Sequence, residues 1–306
     1  MDPHSPIRHP RHLGVPASRR SVFRGMVGTA AAVAAAFITD QRFAAAQEGT
    51  PMTDATPAPN GSPTVVLVHG AFADASGWNG VIERLQAAGV PVVAVPNPLR
   101  SVAHDAAYVA SAMTQIQGPV LVVGHSYGGA VITNVCAGLP NVVGLVYVAA
   151  FIPDEGETLL QILGDSLDSV IAPALVELTY PTGNGSETAV EYAIAAETFH
   201  DVFAADVPAE DAAVMAAAQR PIGQVCFGEE TKTAAWKTLP SWAVVPTGDK
   251  AAGSDVVRSM ARRAGADIVE AEGSHAIMVS QPQVVADHIL TALAAVESTL
   301  IAMPAA

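Results

Sequence analysis

Short, continuous apolar runs alternate with segments of helical periodicity along residues 64–148. The runs predict four strands, at Thr64–Val68, Val90–Val95, Pro119–Val123 and Val142–Val148. The segments between them predict three helices, at Trp78–Ala88, Ala103–Gln117 and Tyr127–Ala137. Each predicted strand is apolar on both faces, which is typical of a parallel sheet with helices covering both sides.

The alternation stops after the fourth strand and resumes near residue 241. Residues 151 to about 237 are rich in Ala, Asp and Glu, and they predict helices around Thr188–Phe199 and Ala209–Ala218 with no clear strand. The pattern then predicts strand, helix, strand and helix at Ser241–Pro246, Ser254–Ala264, Asp267–Val269 and Gln281–Val296.

Together these elements predict an α/β fold with a mostly parallel sheet of about six strands, helices on both faces and one domain over residues 64–300. The insert at about 151–237 is predicted to form a helical cap over the carboxyl edge of the sheet. Open α/β sheets place their sites at that edge, so we expect the functional residues there.

Composition indicates whether the protein is globular, and charge indicates which partners its surface would repel. Half of the 306 residues are apolar and only 14% are charged, which suits a buried globular core. The net charge is −14, and it becomes −18 without residues 1–46, which hold six of the fifteen basic and two of the twenty-nine acidic residues. Such a surface repels nucleic acid and anionic lipid, so we expect neither as a partner.

The first 46 residues have the three parts of an export signal. A basic region, Ser18–Arg24, precedes a short apolar run, Met26–Ile38, and the small residues before Gln47 suit cleavage near Ala46. Its paired arginines resemble the twin-arginine type, which predicts the twin-arginine export machinery as a partner and a periplasmic or secreted location. The apolar run is too short to span a membrane, so no stable anchor is expected, although retention of the signal stays an alternative. Residues 47–63 are predicted to be a flexible leader.

The cysteines and the motifs of the sequence indicate whether a metal or a cofactor is expected. Cys136 and Cys226 have no metal-ligand spacing, and we expect two buried, reduced thiols, with a disulfide as the open alternative. The sequence shows neither a metal signature nor a glycine-rich phosphate loop. We therefore expect no cofactor and no metal.

The strongest chemical signal is a G-x-S-x-G motif, Gly124–Gly128, that follows an apolar strand and precedes a small-residue helix. A strand, a sharp turn and a helix in this order hold a serine hydroxyl up at the end of a sheet. In a chain with 25 glycines the five residues alone are weak evidence, and their setting carries the argument. The motif predicts Ser126 as a nucleophile.

A serine nucleophile needs a base, and three histidines follow Ser126. His275 lies in a glycine-containing loop after the last predicted strand, at the edge where Ser126 is expected, so it is the predicted base. His288 falls within the last helix and is expected to be a packed or solvated residue. His200 falls in the cap and is a candidate to contact substrate.

The acid that orients the base should follow the preceding strand. Asp249 lies in the turn directly after Ser241–Pro246 and is the predicted acid. Asp255, inside the next helix, is the alternative, and its other role would be to complement the helix dipole.

Two backbone N–H groups are needed to bind the oxyanion, one after the nucleophile and one from the first loop. The sequence predicts Tyr127 for the first and Ala71 for the second. His69 and His125 flank these positions and are expected to be structural, with side chains turned away from the reacting carbon.

At these motifs the chain resembles the α/β-hydrolases, in the subgroup of plant methyl-ester esterases, hydroxynitrile lyases and small bacterial esterases. The resemblance covers about 64–296 and is strongest at His69–Phe72, Gly124–Gly129, Thr247–Lys250 and Ser274–His275. It implies the same nucleophile, acid, base and oxyanion donors, namely Ser126, Asp249, His275, Ala71 and Tyr127.

Two departures from the lyases of this subgroup favour ester hydrolysis. Some lyases carry a lysine directly after the catalytic histidine, where this chain has Ala276. Other lyases place an asparagine at the first oxyanion position, where this chain has Ala71.

The sequence therefore predicts an exported serine carboxylesterase that hydrolyses small or medium esters through an acyl-enzyme. Phe72, Phe199 and His200 are predicted to line the substrate pocket, with plain core packing of the cap as the alternative. Lactone hydrolysis, acyl transfer and cofactor-free haloperoxidation on the same residues stay open. So does a ligand-binding protein with a vestigial triad, because fold alone does not give function.

Overall fold

Strands and helices alternate from Thr64 to Val148, as predicted, in a computed structural model that describes residues 62–302. These residues belong to one compact unit, 56–306. The predicted export signal at 1–46 and all but the last two residues of the predicted leader at 47–63 lie outside the described residues. The elements of this first part are β1 (Thr64–Val68), α1 (Asn79–Ala87), β2 (Val92–Val95), α2 (Val102–Met113), β3 (Val120–His125), α3 (Tyr127–Val135) and β4 (Val142–Val148).

The cap lies between β4 and the next strand of the main sheet, and it contains both helices and strands. Its elements are α4 (Leu159–Asp165), β5 (Leu175–Pro181), β6 (Thr188–Ile194), α5 (Ala196–Phe203), α6 (Ala209–Ala218), β7 (Ile222–Gly223) and α7 (Val225–Gly228). The chain then returns to the sheet with β8 (Ser241–Pro246), α8 (Ser254–Arg263), β9 (Asp267–Ala271), α9 (Ile277–Ser280) and α10 (Pro282–Ala302).

The main sheet has six parallel strands in the order β2-β1-β3-β4-β8-β9, which confirms the predicted fold class. Alternate strand residues face two separate cores: in β1, Val66 and Val68 pack on one side, and Val65 and Leu67 pack on the other. Helices cover both faces because neither face is polar. The two edge strands are an exception to the prediction, since β2 and β9 are only partly buried.

The prediction that the cap is helical is wrong for part of it. Thr188–Ile194, predicted as helix, is a strand that pairs antiparallel with β5 and β7. The two long strands flank a loop containing Gly183 and Gly185, both at positive φ, where glycine turns the chain without steric cost. Helix begins only at Ala196.

The last helix, α10, is long and apolar enough to cross a membrane by length and composition. Its face containing Val285, Ile289 and Leu293 is buried against the sheet, as in a core helix. His288 is also buried, and its ring bonds the Asp267 carbonyl oxygen, so it has the packing role expected for it.

Candidate active site

The turn between β3 and α3 holds Ser126 in a strained conformation. Its φ is 52° and its ψ is −123°, a region that residues with a side chain rarely adopt. The turn is fixed on both sides, because the Ser126 N–H donates to the Val148 carbonyl and the Ser126 carbonyl accepts from the Phe151 N–H. Strain held by surrounding hydrogen bonds is typical of a functional position.

Glycines let three backbones meet around this serine. A Cβ at Gly128 would lie 2.5 Å from the Val68 carbonyl oxygen at the end of β1. A Cβ at Gly124 would lie 2.8 Å from the Gly128 backbone, and one at Gly70 would lie 2.6 Å from the Ser126 Cβ. The absence of these side chains is what brings the first loop against the serine.

The loops after β8 and β9 join an acid to a base. His275 Nδ1 donates a hydrogen bond to Asp249 Oδ2 at 2.7 Å, and both side chains are buried. The other carboxylate oxygen of Asp249 accepts from the backbone N–H groups of Ala251 and Ala252, at 2.9 and 3.0 Å. The carboxylate therefore faces the ring in one fixed orientation.

The alternative acid, Asp255, lies elsewhere. Its carboxylate accepts hydrogen bonds from the Ser166 hydroxyl and the Leu167 N–H, at 2.6 and 2.7 Å, and so ties the cap to α8. Asp255 makes no contact with His275 among the described residues.

Two neighbours hold the His275 ring and backbone. His125 Nε2 donates to the His275 carbonyl oxygen at 3.0 Å, and Phe203 of the cap packs edge-on against the His275 ring. Burial holds the pKa of His125 well below its usual value, so its ring is neutral. His125 thus holds the backbone of His275 in place through its ring.

Ala71 and Tyr127, the residues predicted to bind an oxyanion through their N–H groups, line the same cavity as Ser126. Within residues 62–302 neither N–H group donates a hydrogen bond, which leaves both free to bind an oxyanion. His69 holds the first loop, because its Nδ1 donates to the Gly70 carbonyl and its Nε2 accepts from the Asn97 N–H. Burial lowers the pKa of His69, which favours this neutral form.

The Tyr127 side chain is anchored below the site. Its hydroxyl donates to Asp105 Oδ2 at 2.8 Å, and the Arg100 N–H donates to the same carboxylate. The Cys226 thiol lies beside this hydroxyl, and burial raises its pKa to about 12. Cys136 is also buried, and both are free thiols in this structure.

Ser126 and His275 line one narrow cavity of about 20 Å³, together with Ala71 and Tyr127. Its other walls are apolar and come mostly from the cap: Phe151, Leu159, Leu163, Ile171, Ile222, Phe227, Ala251 and Ala252. Phe72, which the sequence predicted as a pocket residue, is part of the wall.

The other two predicted pocket residues do not line this cavity. Phe199 is fully buried behind Phe203, with ring centroids 5.0 Å apart, so it supports the residue that covers His275. His200 lies on the exposed side of α5, and its Nε2 donates to the Val207 carbonyl. Neither residue lines the cavity, because the side of α5 that packs against His275 carries Phe203.

Asn97 and Asp105 were not singled out from the sequence. Asn97 lies between two prolines directly after β2, so a polar residue at a strand's carboxyl end was the available signal. Asp105 lies on a helix face that is otherwise apolar, and only the structure shows its partner.

Comparison with known proteins gives one family and many similar structures. A model of the alpha/beta hydrolase family matches residues 65–288. Polyneuridine aldehyde esterase is similar with a TM-score of 0.66 and 20% identity, over 76% of this chain and 99% of that one. Tomato methylketone synthase I bound to 2-tridecanone has a TM-score of 0.61 and 19% identity, over 76% and 97%. A pyrethroid hydrolase from Sphingobium faniae JZ-2 has a TM-score of 0.59 and 22% identity, over 76% and 98%.

One curated relative is similar over a short segment. It is a carbendazim-hydrolysing esterase from Nocardioides sp. (strain SG-4G), 40% identical over 58 residues. The matched segment is 19% of this chain and 24% of the relative.

Proposed function

This chain belongs to the alpha/beta hydrolase family, as its sequence predicted, and on that premise we propose that it is a serine carboxylesterase. The observation that carries the proposal is the 2.7 Å hydrogen bond from His275 to Asp249, buried beside the cavity that His275 shares with Ser126. A nucleophile, a base and an oriented acid in this relation are the requirements for acyl transfer.

In the first step the Ser126 oxygen attacks the ester carbonyl carbon, and its proton passes to Nε2 of His275. The carbonyl π electrons move to oxygen, and the Ala71 and Tyr127 N–H groups bind the oxyanion. The Asp249 carboxylate stabilises the imidazolium, which donates its new proton to the leaving alcohol oxygen as the C–O bond breaks.

In the second step water attacks the acyl-enzyme and gives its proton to His275. Collapse of the second oxyanion breaks the bond to Ser126, and His275 returns the proton to the serine oxygen. The products are a carboxylic acid and an alcohol, and neither a metal nor a redox group takes part.

The cavity supports hydrolysis over cyanide chemistry. Ala276, the residue after the base, is buried, and its N–H donates to the Phe203 carbonyl. No lysine or arginine is among the described residues that line the cavity, so no cationic side chain is placed there to bind a small anion. The curated relative, an esterase, supports the same class.

Turnover of p-nitrophenyl acetate by the wild-type protein and by the Ser126→Ala variant tests the proposal. The wild type should release p-nitrophenol and the variant should not, and equal turnover would refute the proposal. Added alcohol or hydroxylamine, a lactone substrate, and peroxide with halide would separate ester hydrolysis from acyl transfer, lactone hydrolysis and haloperoxidation.

We also propose that the protein is exported through the twin-arginine route. The support is the order of Arg19-Arg20, the apolar run Met26–Ile38 and the small residues before Gln47. Cleavage near Ala46 would leave a periplasmic or secreted enzyme.

A further inference from the structure

A second, larger hollow lies next to the catalytic cavity. It is a surface cleft of about 100 Å³ between the first loop, the end of α6 and α9. Its apolar walls are Phe72, Ala73, Met215, Ala218, Met278 and Val279. The catalytic cavity, at about 20 Å³, has room for little more than one water molecule.

Phe72 is the wall that the two hollows share. Its φ of 58° is strained for an aromatic residue, and its N–H donates to the Arg220 carbonyl of the cap at 3.1 Å. Its ring meets Phe203 edge-on at 6.5 Å. The Phe72 side chain is therefore the place where the two hollows adjoin.

The cleft is lined by residues that lie close along the chain to the base and to an oxyanion donor. His275 must donate a proton to the leaving oxygen, so that oxygen lies next to the His275 ring. Met278 and Val279 of the cleft follow His275 by three and four residues, and Phe72 follows the oxyanion donor Ala71. The catalytic cavity is lined instead by residues of α4 and α7.

The residues of the cleft and of the catalytic cavity differ in their exposure to solvent. Ala218 is exposed, and Met215 and Gln219 are half-buried, so a product in the cleft leaves directly to solvent. The walls of the catalytic cavity are mostly fully buried, which suits a group that stays bound to Ser126 while the alcohol departs.

The chemistry of the walls indicates a neutral, apolar group. Two methionines adapt to different apolar shapes. Asp74 lies at the rim; burial on its own would raise the pKa of this carboxyl, but hydrogen bonds from Ser76 outweigh it and hold the pKa below its usual value. A charged carboxylate there repels anionic groups.

We propose that this cleft binds the alcohol part of the substrate, so that the enzyme prefers esters of a short acyl group with a large, neutral, apolar alcohol. The inference rests on the proposed esterase function and adds the substrate class to it.

A tryptophan at position 218 tests the proposal, since Ala218 ends α6 at the mouth of the cleft. Ala217 is its matched control, because it is exposed on the same helix and does not line the cleft. The assay compares kcat/KM for methyl acetate, benzyl acetate and methyl hexanoate in the wild type, Ala218→Trp and Ala217→Trp. Methanol and benzyl alcohol have similar acidity as leaving groups. A difference in kcat/KM between the two acetates therefore reports the size of the alcohol.

The wild type should prefer benzyl acetate over methyl acetate and methyl acetate over methyl hexanoate. Because each buried methylene is worth roughly a factor of four, Ala218→Trp should lower kcat/KM for benzyl acetate by about tenfold or more. Methyl acetate should change by less than about twofold, and Ala217→Trp should change neither value.

Three results would overturn the cleft as the alcohol site. Ala218→Trp could lose kcat/KM equally on both acetates, it could lose none on benzyl acetate, or the wild type could prefer methyl hexanoate. Methyl acetate does not need the cleft, so Ser126-dependent hydrolysis of it shows that the esterase proposal stands even when the cleft proposal fails. Absence of any ester hydrolysis would overturn both.

Discussion

His275 donates a 2.7 Å hydrogen bond to Asp249 across the loops that follow two adjacent strands, β8 and β9. The second Asp249 oxygen is bound by the N–H groups of Ala251 and Ala252. The carboxylate can therefore not rotate without losing backbone hydrogen bonds, and the ring keeps Nδ1 protonated and Nε2 free for the serine proton.

Asp249→Asn should reduce kcat for p-nitrophenyl acetate by about 10⁴. An amide N–H in place of Oδ2 cannot accept a hydrogen bond from the Nδ1–H of His275, so the ring adopts the wrong tautomer. The variant should fold, since its amide oxygen can still accept from Ala251 and Ala252. Steady-state kinetics measures the loss of kcat, and circular dichroism checks that the variant is folded.

Asp255→Asn is the matched control for that loss. Asp255 bonds Ser166 and Leu167 and not the base, so kcat should stay within about threefold of wild type. A large loss in Asp255→Asn with activity retained in Asp249→Asn would identify Asp255 as the acid.

Gly128→Ala should destabilise the fold by about 1–3 kcal/mol or more and remove activity, because the added Cβ would lie 2.5 Å from the Val68 carbonyl oxygen. Gly138→Ala is the comparison, since a Cβ there meets nothing within 4 Å. Urea unfolding should show little change for Gly138→Ala. Equal stability of the two variants would contradict the close approach of β1 and α3.

Stability should fall as the pH drops from 6.5 toward 5.5. Burial lowers the pKa of His69 and His125 below the usual 6.5, so both are neutral in the folded protein. The unfolded chain protonates them near pH 6.5, which makes it bind more protons than the folded state. Each such histidine that stays neutral in the folded protein lowers the free energy of unfolding by about 1 kcal/mol between pH 6.5 and 5.5.

His125→Gln should reduce that slope, and His104→Gln should leave it unchanged because His104 is exposed. The measurement is urea unfolding at several pH values down to 5.5, since the pKa of Asp105, raised by burial, works in the opposite direction at more acidic pH. An identical slope in wild type and His125→Gln would show that His125 is not held neutral.

Export should depend on the arginine pair. In a bacterium with a twin-arginine system, the wild-type product should begin near Gln47, and a double Arg19→Lys, Arg20→Lys variant should stay uncleaved in the cytoplasm. The charge-matched control is Arg8→Lys with Arg11→Lys, which should still be exported. Cell fractionation and intact mass give both results, and export of the first variant would exclude this route.

The main sheet could be predicted because its signals are local. The strands Thr64–Val68, Val142–Val148 and Ser241–Pro246 have the predicted bounds, since a buried parallel strand is an unbroken apolar run. Ser126, Asp249 and His275 could be chosen because each follows its own strand, and parallel strands end at one edge.

The cap could not be predicted as well. Strand β5 is mostly exposed and β6 is mostly half-buried, so neither has the continuous apolar run of a buried strand. The glycine-containing loop between them was the signal for a hairpin, and the high alanine and glutamate content obscured it. Phe199 and His200 were predicted to line the pocket because they fall in the cap over the predicted site, but which side of a cap helix faces the site is set by tertiary packing. In this structure the α5 residue that packs against His275 is Phe203.

Labelling with a fluorophosphonate probe, followed by peptide mass spectrometry, addresses the nucleophile itself, because an unactivated serine does not react with the probe. The wild type should carry one phosphonate on Ser126 and lose p-nitrophenyl acetate turnover in proportion to labelling, while Ser126→Ala should neither label nor turn over. Absence of an adduct on Ser126 in folded wild-type protein, or undiminished turnover by Ser126→Ala, would show that this protein does not work through a serine acyl-enzyme at this site.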